Sequence, residues 1–201
     1  MIDTRIRPGE PGDIDGAADV LAAAFADYAW TRHTIAAEDH GRRLRDLQRL
    51  FVERIGLPHG RVWVADGQDG VIAAAVWTTP ESTGAGAAFA ELAELMPELA
   101  GDRAFAAASA EKALAPYRPA EPVWFLATVG VHPAHQGKGL GRAIVEPGLA
   151  AAESAGVAAF LETSEPANVA FYRKLGFEVT AEVELPDGGP TTWAFRREPH
   201  R

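Results

Sequence analysis

The run Val129-Gly130-Val131-His132-Pro133-Ala134-His135-Gln136-Gly137-Lys138-Gly139-Leu140-Gly141-Arg142 carries the densest chemical signal in the chain. It reads as the end of an apolar strand, a glycine loop and the start of a helix. Glycines at alternate positions leave successive backbone N–H groups unshielded, and at a helix N-terminus those donors and the helix dipole make an anion site. A pyrophosphate suits it. Lys138 and Arg142 add local positive charge to a chain with 19 Lys+Arg against 28 Asp+Glu and a net charge of −9. That contrast favours a phosphorylated small molecule over a nucleic-acid backbone, which an acidic surface repels. Binding at the loop should weaken with salt.

Three readings of the glycines compete. A dinucleotide fingerprint needs Gly-x-Gly-x-x-Gly, but Gly137 and Gly139 are followed by Gly141 and then Arg142, although Glu162 stands about 20 residues on, where a ribose-binding acid would sit. A Walker loop needs Gly-Lys-Ser/Thr, and Lys138 is followed by Gly139. A turn that binds nothing would account for a lone glycine loop. This one is accompanied by Asn168-Val169-Ala170-Phe171-Tyr172-Arg173-Lys174-Leu175-Gly176-Phe177. Together the two segments resemble the GNAT superfamily of N-acetyltransferases, whose Gln/Arg-x-x-Gly-x-Gly/Ala loop is matched by Gln136 to Gly141.

The resemblance implies an α/β, three-layer fold: a mixed, mostly antiparallel sheet flanked by helices, with a splayed parallel pair of strands that binds acetyl-CoA. Gln136, Gly137, Lys138, Gly139, Leu140, Gly141 and Arg142 would hold the pyrophosphate. The pantetheine arm would pair with the backbone of Val129, Gly130 and Val131, and Asn168 would hydrogen-bond it. The N–H of Val131 would stabilise the oxyanion, and Tyr172 would protonate the departing thiolate, unless Tyr172 is only a core aromatic beside Phe171 and Phe177. An attacking amine must be neutral. Glu162, closing an apolar strand, is either its base, with a pKa raised by burial, or a rim carboxylate that holds a cationic substrate.

These residues need elements to position them. Thr4 to Arg7 reads as a first strand, and a helix capped by Asp13 carries Ile14, Ala17, Ala18, Leu21 and Phe25 at helical spacing up to Tyr28. A second helix spans about Glu38 to Ile55, with Gly56 as its stop. Arg61 to Asp66 and Val71 to Thr78 form a hairpin. Phe89 to Ala115 is helical with a break near Pro97 and Gly101, and the proline-rich Tyr117 to Pro122 is a connector. Trp124 to Val131 is a nearly continuous apolar strand, hence central. A helix that Pro147-Gly148 should kink follows, then a strand over Val157 to Glu162, a short helix over Pro166 to Leu175, and a hairpin of Phe177 to Leu185 with Thr191 to Arg197.

At 201 residues with 47% hydrophobic and 23% charged residues, the chain fits one domain with one core, spanning residues 1–201. No cysteine is present, so an enzyme thioester is impossible, and no Gly-x-Ser-x-Gly elbow occurs. Direct transfer in a ternary complex remains. His132 and His135, with no acidic residue in their loop, read as a loop pair, so no metal is expected. The first residues lack a basic and apolar leader, and no apolar run approaches the length of a membrane span, so a cytoplasmic protein with no membrane partner is expected.

The likeness extends to the branch of the family that acetylates puromycin, over Ala22 to Tyr28, Thr31 to Thr34, Val62 to Asp66, Ala75 to Ser82, Trp124 to Val131 and Phe160 to Ser164. It implies acetylation of the free amine of puromycin or a related aminonucleoside. Tyr28, Trp30, His33 and Trp77 would then be aromatic walls for the acceptor, with core packing as the competing role. Another small amine as substrate, or a CoA-binding sensor or interaction module without turnover, are the alternatives.

Overall fold

The computed structural model describes residues 4–200. Seven strands, β1 (Arg5–Pro8), β2 (Gly60–Gly67), β3 (Gly70–Thr78), β4 (Trp124–Val131), β5 (Ala159–Thr163), β6 (Glu178–Glu184) and β7 (Thr191–Arg197), form one sheet in the order β1-β2-β3-β4-β5-β7-β6. Every neighbouring pair is antiparallel except β4 and β5. The helices are α1 (Ile14–Phe25), α2 (Ala29–Thr34), α3 (His40–Leu50), α4 (Leu57–His59), α5 (Ala85–Ala100), α6 (Ala104–Leu114), α7 (Leu140–Ala155) and α8 (Pro166–Lys174).

Alternation along β3 builds the three layers. Ala73, Ala75 and Trp77 face a core completed by Ile144, Val145 and Leu149 of α7, Tyr172 of α8 and Phe195 of β7. Ala74 and Val76 point the other way, onto Ala17 and Leu21 of α1 and Val52. The small side chains let helices approach both faces closely. Gly148 serves the same end on α7: a Cβ there would lie 2.3 Å from Cε2 of Trp77.

Several boundaries differ from the sequence reading for identifiable reasons. The first helix ends at Phe25, where Thr31 Oγ1 donates to the carbonyls of Phe25 and Tyr28 at 2.7 and 2.8 Å. Asp13 makes no side-chain cap on α1, because its carboxylate accepts from both terminal nitrogens of Arg7 at 2.7 and 2.8 Å and from the Glu10 N–H, in the turn before the helix, at 2.8 Å. The second helix is α-helical only to Leu50 and widens into a π-type turn over Phe51–Gly56. Pro97 rides inside α5, and the break comes at Gly101, whose φ of +60° suits a residue without Cβ. α7 likewise runs as one helix through Pro147.

Candidate active site

Strands β4 and β5 pair only at Trp124 with Ala159 and Phe125 with Phe160, after which they diverge. The divergence leaves one edge of β4 without a partner, and hydrogen-bond parity says which groups lie on it. His132 N–H donates to Ile72 O at 2.9 Å. Hence Val131 opposite Ala73, and Val129 opposite Ala75, occupy the non-hydrogen-bonded positions of the antiparallel ladder. Their N–H and C=O groups point into the gap, where an extended chain can pair with them. Gly130 is the exception among the residues assigned to this role. Its backbone faces β3, and its missing side chain makes room for α1, since a Cβ would lie 2.7 Å from that of Ala24.

Past β4 the chain enters the glycine loop. Gln136 Nε2 donates to Val131 O at 3.0 Å, which ties the loop back to the strand end. Gly137 and Gly139 have φ of +76° and +82°, and a Cβ on either would meet nothing within 4 Å. The first α7 hydrogen bond runs from Ala143 N to Gly139 O at 3.2 Å, so the N–H groups of Leu140, Gly141 and Arg142 precede the intrahelical ladder and stay available. An exposed cradle of free donors at a helix start fits a pyrophosphate. Lys138 and Arg142 are both exposed, and Arg142 pairs with Glu146 at 2.7 Å.

On its other side the gap opens into a cavity of about 720 Å³, enclosed by β4, β5 and the helices α1, α3, α5 and α6. Val129, Glu162, Asn168 and Tyr172 line it, as do Tyr28 and Trp30. Tyr172 is 6% exposed, its ring packed edge-on to Phe171 and Phe177. Its hydroxyl has no hydrogen-bond partner among the described residues. Burial, with a smaller push from Tyr28, raises this phenol well above its ordinary value. It therefore stays protonated at neutral pH.

Thr163 Oγ1 organises the neighbouring end of β5. It lies 2.9 Å from Tyr28 Oη and accepts from Asn168 Nδ2 at 3.1 Å. The Ser164 N–H donates to Tyr28 Oη, and Ser164 Oγ is 2.6 Å from Thr192 Oγ1. Tyr28 thus pins α2 to β5 besides lining the cavity, while Asn168 is held with its carbonyl and second N–H uncommitted.

Glu162 does not stand in apolar surroundings. Arg118 Nε and a terminal nitrogen donate to its two oxygens at 2.9 and 2.8 Å, and Arg118 also pairs with Glu111 at 2.7 Å. Only 12% of the Glu162 side chain is exposed, against 35% for Arg118. Burial pulls the guanidinium down, but the hydrogen bonds and charge of Glu162, then of Glu111, outweigh it and leave Arg118 more basic than usual. The premise of a lone carboxylate is corrected: Glu162 belongs to a Glu–Arg–Glu cluster with one net negative charge on the cavity wall.

Two of the four proposed walls lie elsewhere. Trp77 is wholly buried in the sheet core, 6.2 Å from the Trp124 ring centroid. Being a β3 residue on the α7 face, it cannot reach the cavity. His33 packs against the β6–β7 turn, where a Cβ on Gly189 would lie 2.7 Å from its Nε2. The aromatic wall is instead built by Phe25, Phe51, Phe89 and Phe125. Sequence reasoning missed these phenylalanines, Arg118 and Glu111. Only helical periodicity marked Phe25 and Phe51, as core, and nothing local ties Arg118 in its connector to a carboxylate 44 residues on.

Among the described residues, no group of three or more His, Asp or Glu could hold a metal ion, and no helix is long and apolar enough to cross a membrane. A protein from Corynebacterium glutamicum, described as histone acetyltransferase HPA2 and related acetyltransferase, is 25% identical with a TM-score of 0.76, over 100% of this chain and 98% of its own. A mosquito arylalkylamine N-acetyltransferase like 5b shares the fold at 16% identity and a TM-score of 0.63, over 98% of this chain and 100% of its own. The Drosophila melanogaster polyamine N-acetyltransferase, which forms N-acetylagmatine, does so at 16% identity and a TM-score of 0.61, over 98% of this chain and 100% of its own. Residues 22–177 match the acetyltransferase (GNAT) family, a span that takes in the cavity lining except Thr192, the splayed strands and the glycine loop. The chain belongs to the GNAT family of N-acetyltransferases, acyltransferases that use acetyl-CoA.

Proposed function

We propose that this enzyme acetylates the free amine of a small aromatic amine, puromycin or a related aminonucleoside, and so inactivates it. The observation that carries the reading is the cavity: largely apolar, with a phenylalanine wall, a net-negative Glu–Arg–Glu cluster and a protonated tyrosine, all opening onto the strand gap. A flat apolar body would contact the wall, and the cluster would attract the ammonium end. The printed substrates of the structural neighbours, an arylalkylamine and agmatine, are likewise small amines.

Acetyl-CoA, when bound, supplies an activated acyl group as a thioester. The donors of Leu140, Gly141 and Arg142 with the Gly137–Gly139 loop would take its pyrophosphate, and the gap-facing groups of Val129 and Val131, with Asn168, its extended arm. Val131 N–H would stabilise charge developing on the acyl oxygen. Tyr172 would donate a proton to the leaving sulfur. Glu162 would orient the amine and accept its proton, directly or through water, with Arg118 fixing both carboxylate oxygens. This reading assigns the reaction to the cytoplasm and gives it antibiotic resistance or self-protection as its role.

Thiol release from acetyl-CoA tests it, with puromycin beside other aminonucleosides, arylalkylamines, polyamines and aminoglycosides. Saturable turnover selective for puromycin is expected. Preference for an unrelated amine would discard the acceptor and keep the chemistry, and absence of thiol release with every amine in the panel would favour a CoA-binding module.

A further inference from the structure

Beside the phenylalanine wall sits a buried polar pair. Gln48 of α3 is 4% exposed and Thr128 of β4 is 6% exposed, and Thr128 Oγ1 donates to Gln48 Oε1 at 3.0 Å. That bond uses the amide carbonyl and leaves Gln48 Nε2, with two N–H donors, no acceptor among the described residues. Both side chains line the cavity. Around them the ring centroids of Phe51 and Phe125 each lie 6.3 Å from that of Phe89, with the rings inclined to it at 68° and 44°, an aromatic panel of tilted faces.

The Gln48 donors face the solvent-filled cavity, so an entering group that displaces water from them must accept from them in its place or leave them unpaired at a cost. A protonated amine has no lone pair to offer. A flat heteroaromatic ring has one in its own plane, so it can stack on one face of the panel, meet the others at their edges and present its own edge to Gln48 at the same time. Thr128 holds the amide in the orientation that keeps the donors forward. Resting on the acetyl-acceptor reading of this cavity, we propose that Gln48 is a specificity-determining residue that hydrogen-bonds a ring nitrogen of a heteroaromatic acceptor lying on the Phe51–Phe89–Phe125 panel. A site built this way rejects a carbocyclic ring of equal size, because the donors are then left unpaired.

Calorimetric titration with N6,N6-dimethyladenosine, which has the ring and no amine to acetylate, tests the contact apart from catalysis. Saturable binding to the wild type is expected, weakened about tenfold in Gln48→Leu and at least as much in Gln48→Glu, which replaces the donors by acceptors. The KM for puromycin should rise more in Gln48→Leu than the KM for O-methyltyrosinamide, which has the amine and no heteroaromatic ring. Thr128→Val, which frees the amide to rotate, should weaken nucleoside binding with native circular dichroism and guards against misfolding of the Gln48 variants. Equal affinity in wild type and variants, or no nucleoside binding to the wild type, overturns the assignment. Gln48-dependent binding without thiol release from any amine would leave it standing and overturn the acetyl-transfer reading instead.

Discussion

Replacing Tyr172 by Phe separates chemistry from packing, because the structure gives the hydroxyl no bond to lose. The ring keeps its contacts with Phe171, Phe177 and Phe195, and the oxygen has no partner among the described residues. Folding stability should therefore stay within about 0.5 kcal/mol of wild type. The rate has more to lose. A charge-assisted hydrogen bond to a developing thiolate contributes about 1.5–3 kcal/mol, roughly 10- to 150-fold in rate, and full proton donation about 10²–10⁴-fold. The two ranges meet near 100-fold, the expected fall in kcat. Acetyl-CoA affinity should be unchanged. Because burial lifts the phenol above its ordinary value of about 10, ionisation of Tyr172 should produce no alkaline limb in the wild-type profile below about pH 10. Steady-state thiol release, acetyl-CoA titration and thermal unfolding on both proteins measure all of this. A kcat within about threefold of wild type refutes the proton-donor role, and so does an alkaline limb near pH 8 that the substitution abolishes.

Three further outcomes follow from particular contacts. Glu162→Gln leaves Arg118 facing a neutral amide; since that arginine is about a third exposed, solvent limits the stability loss to about 1–2 kcal/mol. The same variant should lose at least about tenfold in kcat/KM for the amine, and an unchanged pH–rate profile would remove the base role. Gly148→Ala forces a methyl against Trp77 and should cost about 1–3 kcal/mol in a denaturant titration; no loss would mean that α7 shifts freely. Arg7 holds the Asp13 carboxyl below its ordinary value, chiefly by hydrogen bonding. The stabilisation is therefore complete above the unfolded carboxyl's value of about 3.9 and is lost as pH falls through the folded one. Arg7→Met should be less stable than wild type at pH 6, by an amount that shrinks below about pH 4; a pH-independent difference contradicts the pairing.

Local signals were legible where one segment determines its own conformation. Strands β4 and β7 begin and end at the residues that alternation and turn chemistry indicated, and the glycine loop sits at the start of α7, as its spacing required. What the sequence concealed is assembled across distance. The Gln48–Thr128 bond spans 80 positions, and the aromatic panel draws on the π-type turn, α5 and β4 at once. Trp77 and Trp30 illustrate the limit. Both are aromatic residues near apolar segments, yet the β3 pleat sends Trp77 to the α7 core while Trp30 reaches the cavity. Side-chain type could not separate them; only the placement of α2 beside the cavity and the pleat of β3 could. Pro147 stands inside α7 without ending it, and the neighbouring Gly148 seats the helix on Trp77, a contact that no local pattern announces.

The most direct measurement is identification of the product. The purified protein, acetyl-CoA and puromycin would be incubated together and, in parallel, without puromycin, and both mixtures analysed by mass spectrometry with fragmentation of the nucleoside. The account predicts an acetyl group on the α-amino nitrogen of puromycin, one thiol released per product, and no acetylated protein when the acceptor is withheld. Unmodified puromycin, or an acetyl group retained on the protein, would contradict it.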